Sequence, residues 1–323
     1  MKTNKPTRNV GALLGFLLKG EVDAIFKQAP FEIQNGSDPI LAWRQSAEAV
    51  RRLEHTPALA EVQILEPAEC RAVEEVRARP TFKKYYESVA DYQFALVPMD
   101  CLLSPQWYAD KDYIAELSSQ VPVDATLDQQ ICFAMAEGSI TEPIISGGRV
   151  VFTSQRRDLH ADPIPVWRQL ESGEFEIVVR ASSRPNYIQA AEIGNRILLT
   201  NGVHKACALF LRGHSRVPCL LRRVSRLEEC GLGIQTSMLR PELLDGPRPA
   251  QVIDFLNEGV AVPVALRSMY QVLRVAVGVE ALDVPAVPTV LTQVGSSDEL
   301  GGRSGAVGDV AASTQSRENV NLQ

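Results

Sequence analysis

An α+β chain, built on a small mixed sheet with helices packed against it, is expected on three grounds. Short apolar runs bounded by turn residues recur through the middle of the sequence, at Gln93–Met99, Ile144–Ile145, Arg149–Thr153, Phe175–Val179, Arg196–Thr200 and Val217–Val224. Such runs are the mark of buried or half-buried strands. Between and before them lie segments whose apolar residues fall at helical spacing. The composition is globular, 45% hydrophobic against 22% charged, and 323 residues can close a sizeable core.

In order, residues 1–9 read as an arm. Val10–Gln28 carries Leu14, Leu17, Leu18, Ile25 and Phe26 at positions able to share a helical face, although three glycines weaken it. It is expected as a core helix or a hairpin broken near Gly20, or else as an amphipathic segment that docks on a partner or a membrane surface. Asp38 or Ser37 caps a helix from Pro39, Thr56-Pro57 begins a short one, and Pro67–Arg79 is a charged helix stopped by Pro80. Thr81–Ala90 continues helical, so residues 1–90 are expected to be an all-α region. Pro105–Gln120 and Asp124–Gly138 read as helices, and Ser146-Gly147-Gly148 as a hairpin turn. An insertion at about 154–190 holds His160 and Trp167, whose ordinary fate is packing, and Asn186–Glu192 reads as a short helix. Residues 227–282 are expected to be a helical extension, with helices at Pro249–Leu256 and Pro263–Val277. The Gly-, Ser-, Val- and Pro-rich stretch at 283–323 is expected to be a disordered tail.

Formal charge is −6, with pI near 5.4. That argues against a protein whose business is sequence-independent binding along a phosphate backbone, which leaves a basic footprint. Arg212, Arg216, Arg222, Arg223 and Arg226 make 205–226 locally basic, yet no helix-turn-helix or aromatic run accompanies them, so nucleic acid is not the expected partner. Six scattered cysteines without a C-x-x-C pair disfavour a cysteine zinc site and fit reduced, buried thiols of a cytoplasmic protein. No signal-peptide pattern and no membrane-spanning run is read from the sequence.

The most informative stretch is Asn195–Val224. Arg196–Thr200 is a strand, Asn201-Gly202 a tight turn, Val203–Arg212 a helix closed at Gly213, and Val217–Val224 a second strand. The first amides of a helix lack partners and its dipole favours negative charge, so a strand–Gly turn–helix bearing His204 and Lys205 is a candidate anion site. The competing reading is that a polar turn is how any strand joins a helix.

Gly202-Val203-His204-Lys205-Ala206-Cys207-Ala208, followed by Gly213 and Val217-Pro218, resembles the signature of the ParB/sulfiredoxin-like domain. Upstream, Leu96–Gln106 (L-V-P-M-D-C-L-L-S-P-Q) resembles that family's opening strand, Asp112–Leu117 the next helix, and Glu142-Pro143-Ile144-Ile145 a further strand. The resemblance covers about residues 91–226. It implies nucleotide or phosphate binding, with a nucleoside triphosphate and Mg²⁺ as the cofactor and with weak hydrolysis or phosphotransfer as the activity. The residues it singles out are Asn201, Gly202, His204 and Lys205, with Glu116 and Glu142 as candidate acids; Arg156 and Arg157 could add guanidinium groups, although Ser154–Arg157 does not match the family's usual second phosphate box, and for the acids, as for Asp112, plain solvent-facing charge is the alternative. Departures weigh against chemistry. Val203 stands where sulfiredoxins place their cysteine, Lys205 where partitioning proteins have arginine, and Asn201 where kinase-like relatives carry an aspartate. Cys207 is expected to be a buried small residue. The alternative function is a non-catalytic adaptor that keeps the fold and holds a protein partner through residues 10–28; a DNA-binding or nuclease relative ranks last.

Overall fold

The first element of the fold is a strand. A computed structural model of the chain describes residues 7–28, 31–54, 61–87, 91–137, 143–146, 149–154, 159–161, 166–178, 180–183, 185–230, 244–267 and 271–276. In order come β1 (Thr7–Ala12), α1 (Lys19–Gln28), β2 (Phe31–Ile33), α2 (Pro39–Arg51), β3 (Gln63–Ile64), α3 (Arg71–Ala78) and α4 (Pro80–Phe82), which runs on as a π turn at Lys83–Glu87. Next are β4 (Gln93–Pro98), β5 (Leu102–Leu103), β6 (Tyr108–Asp110), α5 (Lys111–Ser119), α6 (Leu127–Ala134), β7 (Ile144–Ser146), β8 (Arg149–Ser154), β9 (Leu159–Ala161), β10 (Val166–Gln169), β11 (Phe175–Val178) and β12 (Ala181–Ser183). The chain closes with β13 (Gln189–Ile193), β14 (Arg196–Asn201), α7 (Val203–Leu211), β15 (Arg216–Val224), β16 (Val262–Arg267) and β17 (Gln271–Ala276).

The class is α+β, as expected. The largest sheet has six strands in the order β3-β4-β15-β13-β14-β5, with β13 parallel to β15 and antiparallel to β14. A second sheet, β2-β16-β1-β6, draws two strands from the first of the three regions that the sequence divides at about 90 and 226, and one from each of the others. Those regions therefore interlock: Val10 faces Val264 on one side and Asp110 on the other. They are parts of one compact unit, Met1–Val277; a second unit, Gly278–Gln323, and with it the expected tail, lies outside the described residues, as does the expected helix start at Thr56-Pro57.

Several expected helices are strands. Val10 and Ala12 sit at the centre of the second sheet, both buried, so a continuous apolar run here means a strand covered on both faces. The short 3-10 turn Leu14–Phe16 that follows also enters the core. Gly15 makes that possible, since a Cβ there would lie 2.5 Å from the Ser46 carbonyl carbon of α2. Residues 10–17 are thus core, and an exposed docking helix over 10–28 is corrected to a strand, a turn and the shorter α1. The all-α expectation for 1–90 fails with β1, β2 and β3. Pro263–Val277 becomes β16 and β17 because its Val/Leu alternation finds open edges at β1 and β8, and Pro249–Leu256 shrinks to a 3-10 turn at Val252–Leu256. Asn186–Glu192 is extended chain leading into β13.

Other local signals hold. Asp38 caps α2, its carboxylate accepting from Ile40 N at 2.9 Å behind Pro39. Thr126 and Gln129 form a reciprocal capping box on α6. The hairpin of β7 and β8 forms in register at Ile145 and Val150. Among the described residues no helix is long and apolar enough to cross a membrane.

Candidate functional site

The strand–turn–helix forms where the sequence places it. Ile197, Leu198 and Leu199 of β14 are fully buried, and the strand ends at Asn201, whose side-chain amide donates to the Tyr187 carbonyl at 3.0 Å. Gly202 is the N-cap of α7 with φ 90° and ψ 23°, a left-handed conformation that glycine adopts at little cost. It also lies hard against its neighbour: a Cβ would come within 2.9 Å of both Cα and Cγ1 of Ile188. On that side the turn packs against chain.

The two polar residues that follow point inward. His204 Nε2 accepts from the Asp110 backbone N–H at 2.9 Å, so that nitrogen carries no proton. Burial brings the imidazole pKa down to about 4; the Asp110 carboxylate pulls it up and the Arg8 guanidinium pushes it further down. Asp110 is itself buried. One carboxylate oxygen caps α5 by accepting from Tyr113 N at 3.0 Å, and the other accepts from Arg8 of β1 at 2.8 Å. His204 therefore ties α7 to the corner where β1, β6 and α5 meet, with the Tyr113 ring 5.4 Å away.

Lys205 is only 5% exposed and is not a surface cation. Its ammonium donates to the carbonyls of Ala134 at 3.2 Å, Ala136 at 2.9 Å and Asn186 at 2.6 Å. An ammonium has three N–H donors, and three carbonyls match them. Two of these lie at the C-terminal end of α6, where a helix has orphan acceptors and the negative end of its dipole. Arg79 does the same, donating to the Met135 carbonyl at 2.6 Å. Two cations far apart in sequence thus finish one helix.

Beside them is a cluster that sequence reasoning missed. The buried Tyr187 hydroxyl donates to Glu137 at 2.6 Å, and Thr81 donates to the same oxygen. Burial works against the Glu137 anion, but those hydrogen bonds and the Arg79 charge outweigh it and hold its pKa below the ordinary carboxylate value. The Tyr187 phenol is pushed up by burial and by the adjoining carboxylate. Nothing in the sequence around Tyr187 marks it, since its partners come from α4 and from the residues after α6.

Of the remaining candidates, Glu116 is exposed on α5, and no described contact carries it to the α7 turn. Asp112 is exposed and accepts from Asn9 N at 2.9 Å. Arg156, Arg157 and Glu142 lie outside the described residues. Cys207 is fully buried, as expected, and burial drives its thiol pKa up; at Cys219 the same effect reaches about 12, so neither supplies a thiolate. All six cysteines are free thiols. Among the described residues no group of three or more His, Cys, Asp or Glu side chains is placed to hold a metal ion.

The residues at the turn do not fit a triphosphate. The lysine donors are taken by carbonyls, the imidazole is an acceptor, and the glycine is covered by Ile188. Compared with known proteins, the chain matches no family model, no curated protein and no solved structure.

Proposed function

We propose that this chain is a non-catalytic binding scaffold, in which a strand–turn–helix of the ParB/sulfiredoxin kind serves as an internal brace. The observation that carries the reading is Lys205: its ammonium holds the end of α6 and the chain before β13, through carbonyls contributed by Ala134, Ala136 and Asn186. A cation spent in this way offers an incoming phosphate no donor without first unpicking the helix end. Because residues 10–17 are core, the part of the segment 10–28 left to meet a partner is Leu18 and the outer side of α1.

Thermal denaturation of the full chain with millimolar ATP, CTP or GTP and Mg²⁺ tests the proposal. The expected result is an unchanged midpoint with every nucleotide. A ligand at a hundredfold excess over its Kd stabilises by about 2.7 kcal/mol, so a clear upward shift with any one of them, abolished by Lys205→Met in a variant shown to be folded, overturns the scaffold reading.

A further inference from the structure

One outer face gathers cations and rings that are scattered in the sequence. Arg77 of α3 places its guanidinium carbon 5.8 Å from the Phe94 ring centroid, and Arg222 of β15 lies 5.6 Å over Tyr92. Lys84, in the π turn, sits 5.0 Å over Tyr85. The rings under Arg77 and Arg222 are continuous. Phe94 stacks on Phe82 at 5.6 Å, Phe82 meets Tyr86 at 5.6 Å, and Tyr86 meets Tyr92 edge-on at 5.4 Å. Phe82, Tyr86 and Phe94 are buried and form the floor, while Tyr85 and Tyr92 are half-buried with ring surface left to offer.

The cations of the molecule divide into those paired with a carboxylate and those, Lys27, Arg44 and Lys111 as well as the ones on this face, with no such pair among the described residues. Arg8, Lys19, Arg51, Arg52, Arg71, Arg226 and Arg248 all pair with carboxylates. Arg77, Lys83, Lys84 and Arg222 make no such pair among the described residues. The neighbouring Arg223 is excluded, because it is already held by Glu192 at 3.0 Å. Glu87 and Asp91, exposed and close in sequence to Lys84 and Tyr92, make no ion pair with these four among the described residues.

We propose that this face, formed by α3, the π turn at Lys83–Glu87 and the end of β15, binds single-stranded nucleic acid. Unpaired cations spaced over a ring surface suit a polymer that alternates phosphate charge with flat bases. A base can stack on the guanidinium plane of Arg222, which Tyr92 backs from the other side, while Lys83, Lys84 and Arg77 take the phosphates. A duplex hides its base faces and gives up the stacking contribution, so single strands are preferred. The overall charge of −6 limits the interaction to this patch and makes it weak and salt-sensitive. The inference does not rest on the reading of the α7 turn: nucleotide binding there and strand binding here are separate sites with separate variants.

The test is fluorescence anisotropy of the full chain with a labelled oligothymidylate of about 20 nucleotides, beside a duplex of equal length and inorganic polyphosphate. With four cations engaged, log K should fall with log salt at a slope of about −3. Lys84→Ala with Arg222→Ala should weaken single-strand binding by about tenfold or more. Tyr92→Leu, which keeps the apolar bulk, should erase the preference for single strand over duplex. The proposal is overturned by no binding at about 50 mM salt, by binding that both variants leave intact, or by polyphosphate binding as tightly as the oligonucleotide.

Discussion

The start of α7 and the face around Tyr92 use the same vocabulary, basic side chains beside aromatic rings, to opposite ends. At the start of α7 each polar group is turned inward and matched, His204 to the Asp110 amide and Lys205 to three carbonyls. Around Tyr92 the cations lie over rings at the surface without a carboxylate partner among the described residues. A basic residue in a recognisable motif is thus no guide to ligand binding until its donors are counted. Those already saturated by main chain are holding the fold; those resting on a ring with nothing else to bind remain available.

That contrast breaks first at Lys205. Replacing it with Met takes the donor from the carbonyls of Ala136 and Asn186, while the Ala134 carbonyl keeps the Ile188 N–H at 3.1 Å, at roughly 1–3 kcal/mol for each buried group left without a partner. Allowing for relaxation, Lys205→Met is expected to lose about 2–4 kcal/mol, read as a lower urea midpoint at unchanged slope. A loss below about 1 kcal/mol would mean that the ammonium is solvated and that the contrast is false.

The second effect is one of pH. In the unfolded chain the His204 imidazole takes a proton below about 6.5, while in the fold it stays neutral until about pH 4. The unfolded state therefore binds more protons in that window. Stability attributable to His204 is full above pH 6.5 and is lost as pH falls towards 4, by roughly 3 kcal/mol at most. Urea unfolding at pH 7 and pH 4.5 should show the decline, and His204→Asn should flatten it. The smallest effect is expected on the outer face, where Lys84→Ala changes stability by less than about 0.5 kcal/mol, measured by the same denaturation; a larger loss would make the ring contact structural and remove the distinction.

Much of the architecture is legible in the sequence. The caps at Asp38 and Thr126, the hairpin at 144–154, and the order β14, turn, α7, β15 are all local signals, and local physics decides them. β1 was illegible because a doubly covered strand and a core helix share one pattern, a run of apolar residues, and only β16 and β6 resolve the choice. The same limit hid β17, whose partner β8 lies more than a hundred residues earlier. At the site, Gly202 was legible as a left-handed turn, but the aim of Lys205 was not, since it depends on carbonyls near residue 135 that no spacing rule connects to it. Asp110 carries a readable sign, an acid just before a helical run, but a helix expected from Pro105 places it in the interior of the helix and not at its cap.

The pairing of Thr7 with Arg267 carries a consequence for biosynthesis. β1 leaves the ribosome early, yet its antiparallel neighbour β16 is translated some 250 residues later, a delay of tens of seconds at ordinary elongation rates. Through that interval the nascent amino-terminal strand holds Val10 and Ala12 without their cover, so this is the period in which the polypeptide needs shelter from aggregation.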